Sequence, residues 1–199
     1  SKHILIIAVG PVQTFIAAGR KLRDLAAGSR MLSDLAKEIA IFLERKNCEV
    51  IFPSLPNTSA ERAELLVANK ILAITDAADV AELVKDAKTC AEGFYTTRFS
   101  KARAQYSIDT TVFDAQAKDV GDCFAAWVPL GENYRKSLEE AEAVFSRRKS
   151  LRNFSIPGWK ATENFKKSSL DGTRESVILD VGREKLEREN LLKPGEELD

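Results

Sequence analysis

Ile4-Leu5-Ile6-Ile7-Ala8-Val9 is a continuous apolar run, and it stops at Gly10-Pro11. A run without the alternation of a half-exposed strand belongs to a strand covered on both faces. Pro11 lacks the backbone N–H that a central strand needs, so the chain must turn there. Beyond the turn, Leu22, Leu25, Leu32, Leu35, Ile39 and Leu43 recur at three-, four- and seven-residue spacing. That spacing predicts one apolar face of a helix reaching about Arg45. A buried strand feeding a long amphipathic helix commits the chain to a layered α/β or α+β architecture.

The rest of the chain supplies the other layers. Cys48 to Ser54 reads as a short strand ended by Pro53, and Lys70 to Thr75 as another; the segment from Leu55 to Asn69 between them is too long for a tight hairpin. Asp76 to about Tyr106 is mostly helix, with Val80, Leu83, Val84, Ala87 and Ala91 on its apolar face. A further helix near Thr111 to Val120 precedes a strand over Cys123 to Leu130, centred on Ala126-Trp127-Val128. Strand, helix, strand, strand, helix, strand is the order of a split βαβ, ferredoxin-like sheet, here with an extra helix before the fourth strand. A helix from Glu132 to Lys149 follows. Asn153 to Thr173 reads as a loop-dominated insert, Glu175 to Val181 as a strand, and Arg183 to Leu191 as a last short helix. The expected division is a ferredoxin-like domain over 1–150 and a loop-rich insert with a short helix over 151–199.

Charge narrows the function classes. Thirty Lys and Arg balance thirty Asp and Glu in 199 residues. No global field draws the chain to a polyanion, and any nucleic-acid contact must be a local patch. The apolar run is far shorter than the roughly 20 residues that span a bilayer, and it lacks the basic flank of a secretory signal. Cys48, Cys90 and Cys123 are widely spaced and odd in number, which favours reduced thiols over a disulfide framework.

Two constellations carry possible chemistry. At the strand–turn–helix junction, free backbone N–H groups and positive charge converge as a phosphate requires. Gly10, Gln13, Arg20, Arg23, Gly28 and Ser29 are the candidate contacts, the small residues allowing close approach. The bland alternative is also readable: Arg20 with Asp24 and Arg30 with Asp34 have the spacing of intrahelical ion pairs, and Gly10-Pro11 serves equally as a plain turn. The second constellation is Arg147, Arg148, Lys149 and Arg152, with Phe154, Trp159 and Phe165 nearby. Mixed cations and aromatics suit RNA or a partner protein, although cations at a helix C-terminus are favoured by the helix dipole alone. Trp127, in an apolar strand, reads as core or domain interface, and the lone His3 as a strand-end residue.

GPVQTFIAAGRKLRDLAAGSRMLS over Gly10 to Ser33 resembles the opening of the first palm domain in the large, polymerase/cyclase-like subunit of type III-B (Cmr) CRISPR effector complexes. Ile51-Phe52-Pro53-Ser54, Asn69-Lys70-Ile71-Leu72-Ala73-Ile74, Ala126-Trp127-Val128-Pro129-Leu130 and the stretch Ser169 to Val177 follow in the order that family shows. The resemblance implies a palm of the ferredoxin-like, nucleotidyl-cyclase kind, with ATP and Mg²⁺ lying between it and a second palm. Active palms hold their metal with a carboxylate at the end of the first strand and an acidic Gly-Gly-Asp-Asp turn. Here the strand ends Ile7-Ala8-Val9, and the connection from Leu55 to Asn69 offers only Glu61 and Glu64 in a helix-like stretch. The resemblance therefore implies a catalytically silent first palm that contributes half an ATP pocket for cyclic oligoadenylate synthesis. Its implied partners are the other complex subunits with guide and target RNA, in the cytoplasm. One His cannot build the HD nuclease domain that some members carry. The family's Cys-rich zinc element would fall in the insert, which has neither Cys nor His, so no zinc is expected. The end at Lys193 to Asp199 suggests a piece of a longer protein. A free-standing cyclase-like domain and a scaffold that never binds nucleotide remain the competing readings.

Overall fold

The computed structural model describes residues 1–10, 22–117, 122–151, 166–169, 175–189 and 192–196. Its strands are β1 (His3–Gly10), β2 (Glu49–Phe52), β3 (Lys70–Thr75) and β4 (Asp122–Pro129). They form one sheet in the order β2-β3-β1-β4. All pairings are antiparallel, with Ile6 opposite Leu72 on one side and Ala126 on the other. That order and direction are those of the ferredoxin-like sheet expected from the sequence.

The helices are α1 (Leu22–Arg45), α2 (Ser59–Glu64), α3 (Val80–Gln105), α4 (Thr110–Ala117), α5 (Tyr134–Ser150) and α6 (Asp180–Arg188). β1 is central, and every residue from Ile4 to Gly10 is buried. Its odd residues Leu5, Ile7 and Val9 pack with Leu35, Ile39 and Leu43 of α1 and Val84 and Ala87 of α3. Its even residues Ile4, Ile6 and Ala8 pack with Ala126 and Val128 of β4 and Ala141 and Phe145 of α5. Period-two alternation thus sends one strand into two cores. Each fully buried Ile or Leu contributes about 1.5–3 kcal/mol.

Local chemistry sets the element ends. Asn47 takes the left-handed conformation, φ 60°, after α1. Its N–H reaches the Glu44 carbonyl and that of Cys48 the Leu43 carbonyl, both at 3.0 Å, which closes the helix with a Schellman motif. Asp79 caps α3 by accepting from the Glu82 N–H at 3.0 Å, and Asn133 caps α5 by accepting from Lys136 N–H at 3.1 Å.

Four expectations need adjustment. Leu22 is 82% exposed, because the stripe of α1 becomes fully buried only from Leu32 onward. Trp127 is 37% exposed on the edge strand β4, which removes the core half of its reading and leaves the interface half open. Glu175 to Val181 makes no strand; it forms the isolated bridges Lys167 to Glu175 and Ile108 to Ile178 before α6 begins at Asp180. The predicted helix Arg183 to Leu191 accordingly starts earlier and ends at Arg188. This C-terminal segment docks where α3 passes into α4, the Asp109 N–H donating to the Val177 carbonyl at 2.8 Å and Gln116 Nε2 to the Glu175 carbonyl at 2.7 Å. Most of the expected insert, Asn153 to Thr173, lies outside the described residues.

Among the described residues no helix is long and apolar enough to cross a membrane. Cys48, Cys90 and Cys123 are free thiols, and burial pushes the Cys48 and Cys90 thiols above their ordinary value.

Candidate functional site

The strand–turn–helix junction is anchored from the strand side. Gly10 ends β1 opposite Asp122, and it is buried. One residue earlier, Val9 is held twice by Asn69: the Val9 N–H donates to the Asn69 carbonyl at 2.9 Å, and Asn69 Nδ2 donates to the Val9 carbonyl at 3.0 Å. On the helix side, Gly28 is buried and Ser29 exposed in α1. Arg23 sits in the first turn of α1, but its side chain lies outside the described residues, as do Gln13 and Arg20 altogether. Three of the six candidates are therefore located: Gly10, Gly28 and Ser29.

Next to Gly28 and Ser29 stands a charge cluster that sequence reading only half found. Asp34 Oδ1 accepts from Arg30 Nε at 3.2 Å and from Lys37 Nζ at 3.1 Å, and its Oδ2 accepts from an Arg98 guanidinium nitrogen at 2.7 Å. Arg30 and Lys37 also donate to the Ala63 carbonyl, at 2.8 and 3.3 Å. Arg98 comes from α3 and lies 5.3 Å from the centroid of the Phe94 ring. Three cations on one carboxylate leave positive charge in excess. The Asp34 side chain is 10% exposed, whereas those of Arg30 and Arg98 are 47% and 51% exposed. The carboxylate is thus spent inside, while two guanidinium forks reach solvent, where they can take up a second anion. Arg30, Asp34 and Lys37 are legible as i, i+4 and i+3 neighbours on one helix. Arg98 is 64 residues from Asp34, and no sequence spacing announces it.

The acidic candidates behave as surface. Glu61 and Glu64 are exposed on α2, where Thr58 accepts from the Glu61 N–H at 3.3 Å and donates to its carboxylate at 2.6 Å. Among the described residues no three His, Cys, Asp or Glu side chains are grouped to hold a metal ion.

Arg147, Arg148 and Lys149 form the last turn of α5. Arg148 lies 5.8 Å from the Phe124 ring centroid, and Arg152, Trp159 and Phe165 lie outside the described residues. α5 covers the opposite face of the sheet from α1. Among the described residues, Gly28 and Ser29 on α1 and Arg147 to Lys149 on α5 therefore belong to helices on opposite faces of the sheet.

Comparison with known proteins gives a family and a fold. No curated protein sequence matches the chain. A solved structure described as "Cryo-EM structure of the Type III-B Cmr-beta bound to cognate target RNA" contains a chain that superposes with a TM-score of 0.60 at 13% identity. The match covers 99% of this chain and 31% of that one, so the present chain spans about a third of its structural relative. At this identity the likeness speaks for the fold. The sequence profile for the N-terminal part of the CRISPR-associated protein Cmr2 matches residues 4–148, which take in α1 to α4, all of the sheet but His3, and α5 up to Arg148. The chain belongs to the Cmr2 N-terminal family.

Proposed function

We propose that this chain is the first, catalytically silent palm in the large subunit of a type III CRISPR effector complex, where it supplies one half of an ATP pocket completed by a second palm. The observation that carries this reading is the excess of positive charge on Arg30 and Arg98 beside the small residues Gly28 and Ser29. A triphosphate needs guanidinium forks, and the solvent-exposed ends of Arg30 and Arg98 offer two. Mg²⁺ would be held from the second palm, since Ala8, Val9 and Gly10 at the end of β1 carry no side-chain ligand atom. The role of this chain is to bind and orient the nucleotide, while metal-assisted chemistry belongs to its partner. Other complex subunits and RNA are the macromolecular partners, with the last turn of α5 as the basic docking element, and the setting is the cytoplasm.

A scaffold without nucleotide is favoured by one observation: Asp34 already gives each of the three cations a partner. Titration calorimetry of ATP with Mg²⁺ decides. Heat that appears only when the separately expressed second palm is added supports the half-pocket, and Arg98→Ala should then weaken binding about tenfold, the loss of a charge-assisted hydrogen bond. Absence of heat in both titrations leaves the scaffold.

A further inference from the structure

β4 is an edge strand: β1 pairs along one side, and no strand pairs along the other among the described residues. That open edge is the floor of a groove of about 380 Å³. Val84 and Lys88 of α3 form one lip, Val144 and Arg148 of α5 the other, with Ala125 and Trp127 of β4 between them. Trp127 and Val144 are each 37% exposed, so apolar surface is left open here. The charged residues lining the groove are both cations, Lys88 and Arg148, and Arg147 and Lys149 continue the positive charge beside it.

We infer that this groove binds single-stranded RNA, one base stacking on Trp127 and the flanking phosphates meeting Lys88 and Arg148. An aromatic floor between cationic lips suits an alternation of bases and phosphates, and it requires no particular sequence. A second copy of the chain is disfavoured, since edge-to-edge pairing would bring like charges together. A partner polypeptide strand could use the free edge, but it would bury both cations against its backbone unless it carried acidic residues at matching positions. The inference rests on the reading that RNA is a partner of the assembled protein. It adds a defined surface, reaching from the last turn of α5 across β4 to α3.

The experiment uses the 199-residue chain carrying Trp159→Phe, so that Trp127 is the sole tryptophan emitter, and a fluorescein-labelled 12-nucleotide oligouridine. The expected result is quenching of Trp127 on RNA addition and binding about tenfold weaker in Trp127→Leu, the range of one lost stacking contact. Lys88→Ala should reduce the slope of log affinity against log salt by about 0.7, one phosphate contact. Unchanged affinity in Trp127→Leu, or no quenching, overturns the inference. So does loss of co-purification with the other complex subunits in Trp127→Leu at unchanged RNA affinity, which would assign the groove to a protein strand. If the parent chain fails to join those subunits while the quenching persists, the effector-complex reading falls and the groove stands.

Discussion

Asp34 gathers Arg30 and Lys37 from its own helix and Arg98 from α3, and its side chain is almost wholly buried. Removing the carboxylate strands Lys37, itself only 11% exposed, beside two more cations. Asp34→Asn should therefore cost about 3 kcal/mol in urea denaturation, while Arg98→Met, at the half-exposed end of the cluster, should cost under about 1 kcal/mol. Equal losses would show that the cluster is not centred on the carboxylate. Tyr95 makes a second test. Its ring stacks on Phe99 at 5.7 Å and meets Phe94 edge-on at 5.8 Å. Burial, with a smaller contribution from Cys123, pushes its phenol up to about 12. The unfolded chain would ionise near 10. Because the folded value is the higher, the stability linked to this proton is complete below about pH 10 and is lost as pH rises through 12. Tyr95→Phe keeps the ring stack and has no proton to lose. The gap between parent and variant midpoints should be flat up to pH 10 and widen in the variant's favour above it, as read by urea titrations at pH 9 and 11.5.

Among the elements, α6 owes its position to one glycine. A Cβ on Gly182 would come within 2.5 Å of the Ser107 carbonyl oxygen and 3.1 Å of Ser107 Cβ. The carbonyl is backbone at the α3–α4 junction and cannot step aside cheaply. Gly182→Ala should lift α6 off that junction, so that amide exchange rises over 176–189 while the strands keep their protection. Unchanged exchange would mean that the junction yields instead. The sequence announced α6 poorly. Its residues Asp180-Val181-Gly182-Arg183 contain a glycine and an apolar residue that is 88% exposed, so neither propensity nor pattern marks the start. α1, by contrast, was legible from Leu32 onward, because Leu32, Leu35, Ile39 and Leu43 are all buried in the core and repeat at the helical period. The same reasoning placed Leu22 on that face, but Leu22 in the first turn of α1 is exposed.

At the scale of the molecule, β1 couples two cores, one under α1 and α3 and one under α5. Leu35→Ala on one side and Phe145→Ala on the other should each cost about 3–5 kcal/mol. Both should lower the same unfolding transition, monitored by far-ultraviolet circular dichroism. Two separated transitions would mean that the cores fold independently despite the shared strand. Lys70 ties the second core from β3, its ammonium 2.6 Å from Glu142 Oε2 and 5.6 Å from the Phe145 ring centroid. The sequence by itself determined the ferredoxin-like order, because hydrophobic period and turn residues are local properties, and β1 carried in its unbroken apolar run the statement that both its faces are covered. It also named Gly10, Gly28, Ser29 and the basic turn Arg147 to Lys149 as candidates. Only the tertiary structure decided that the helix carrying Gly28 and Ser29 and the helix carrying the basic turn cover opposite faces, that Arg98 joins Arg30 at Asp34, and that Trp127 stands on an open edge between α3 and α5. Each of those facts depends on which distant segments become neighbours, and the free energy of such contacts is written in the packing of the sheet and its helices rather than in any one window of the chain.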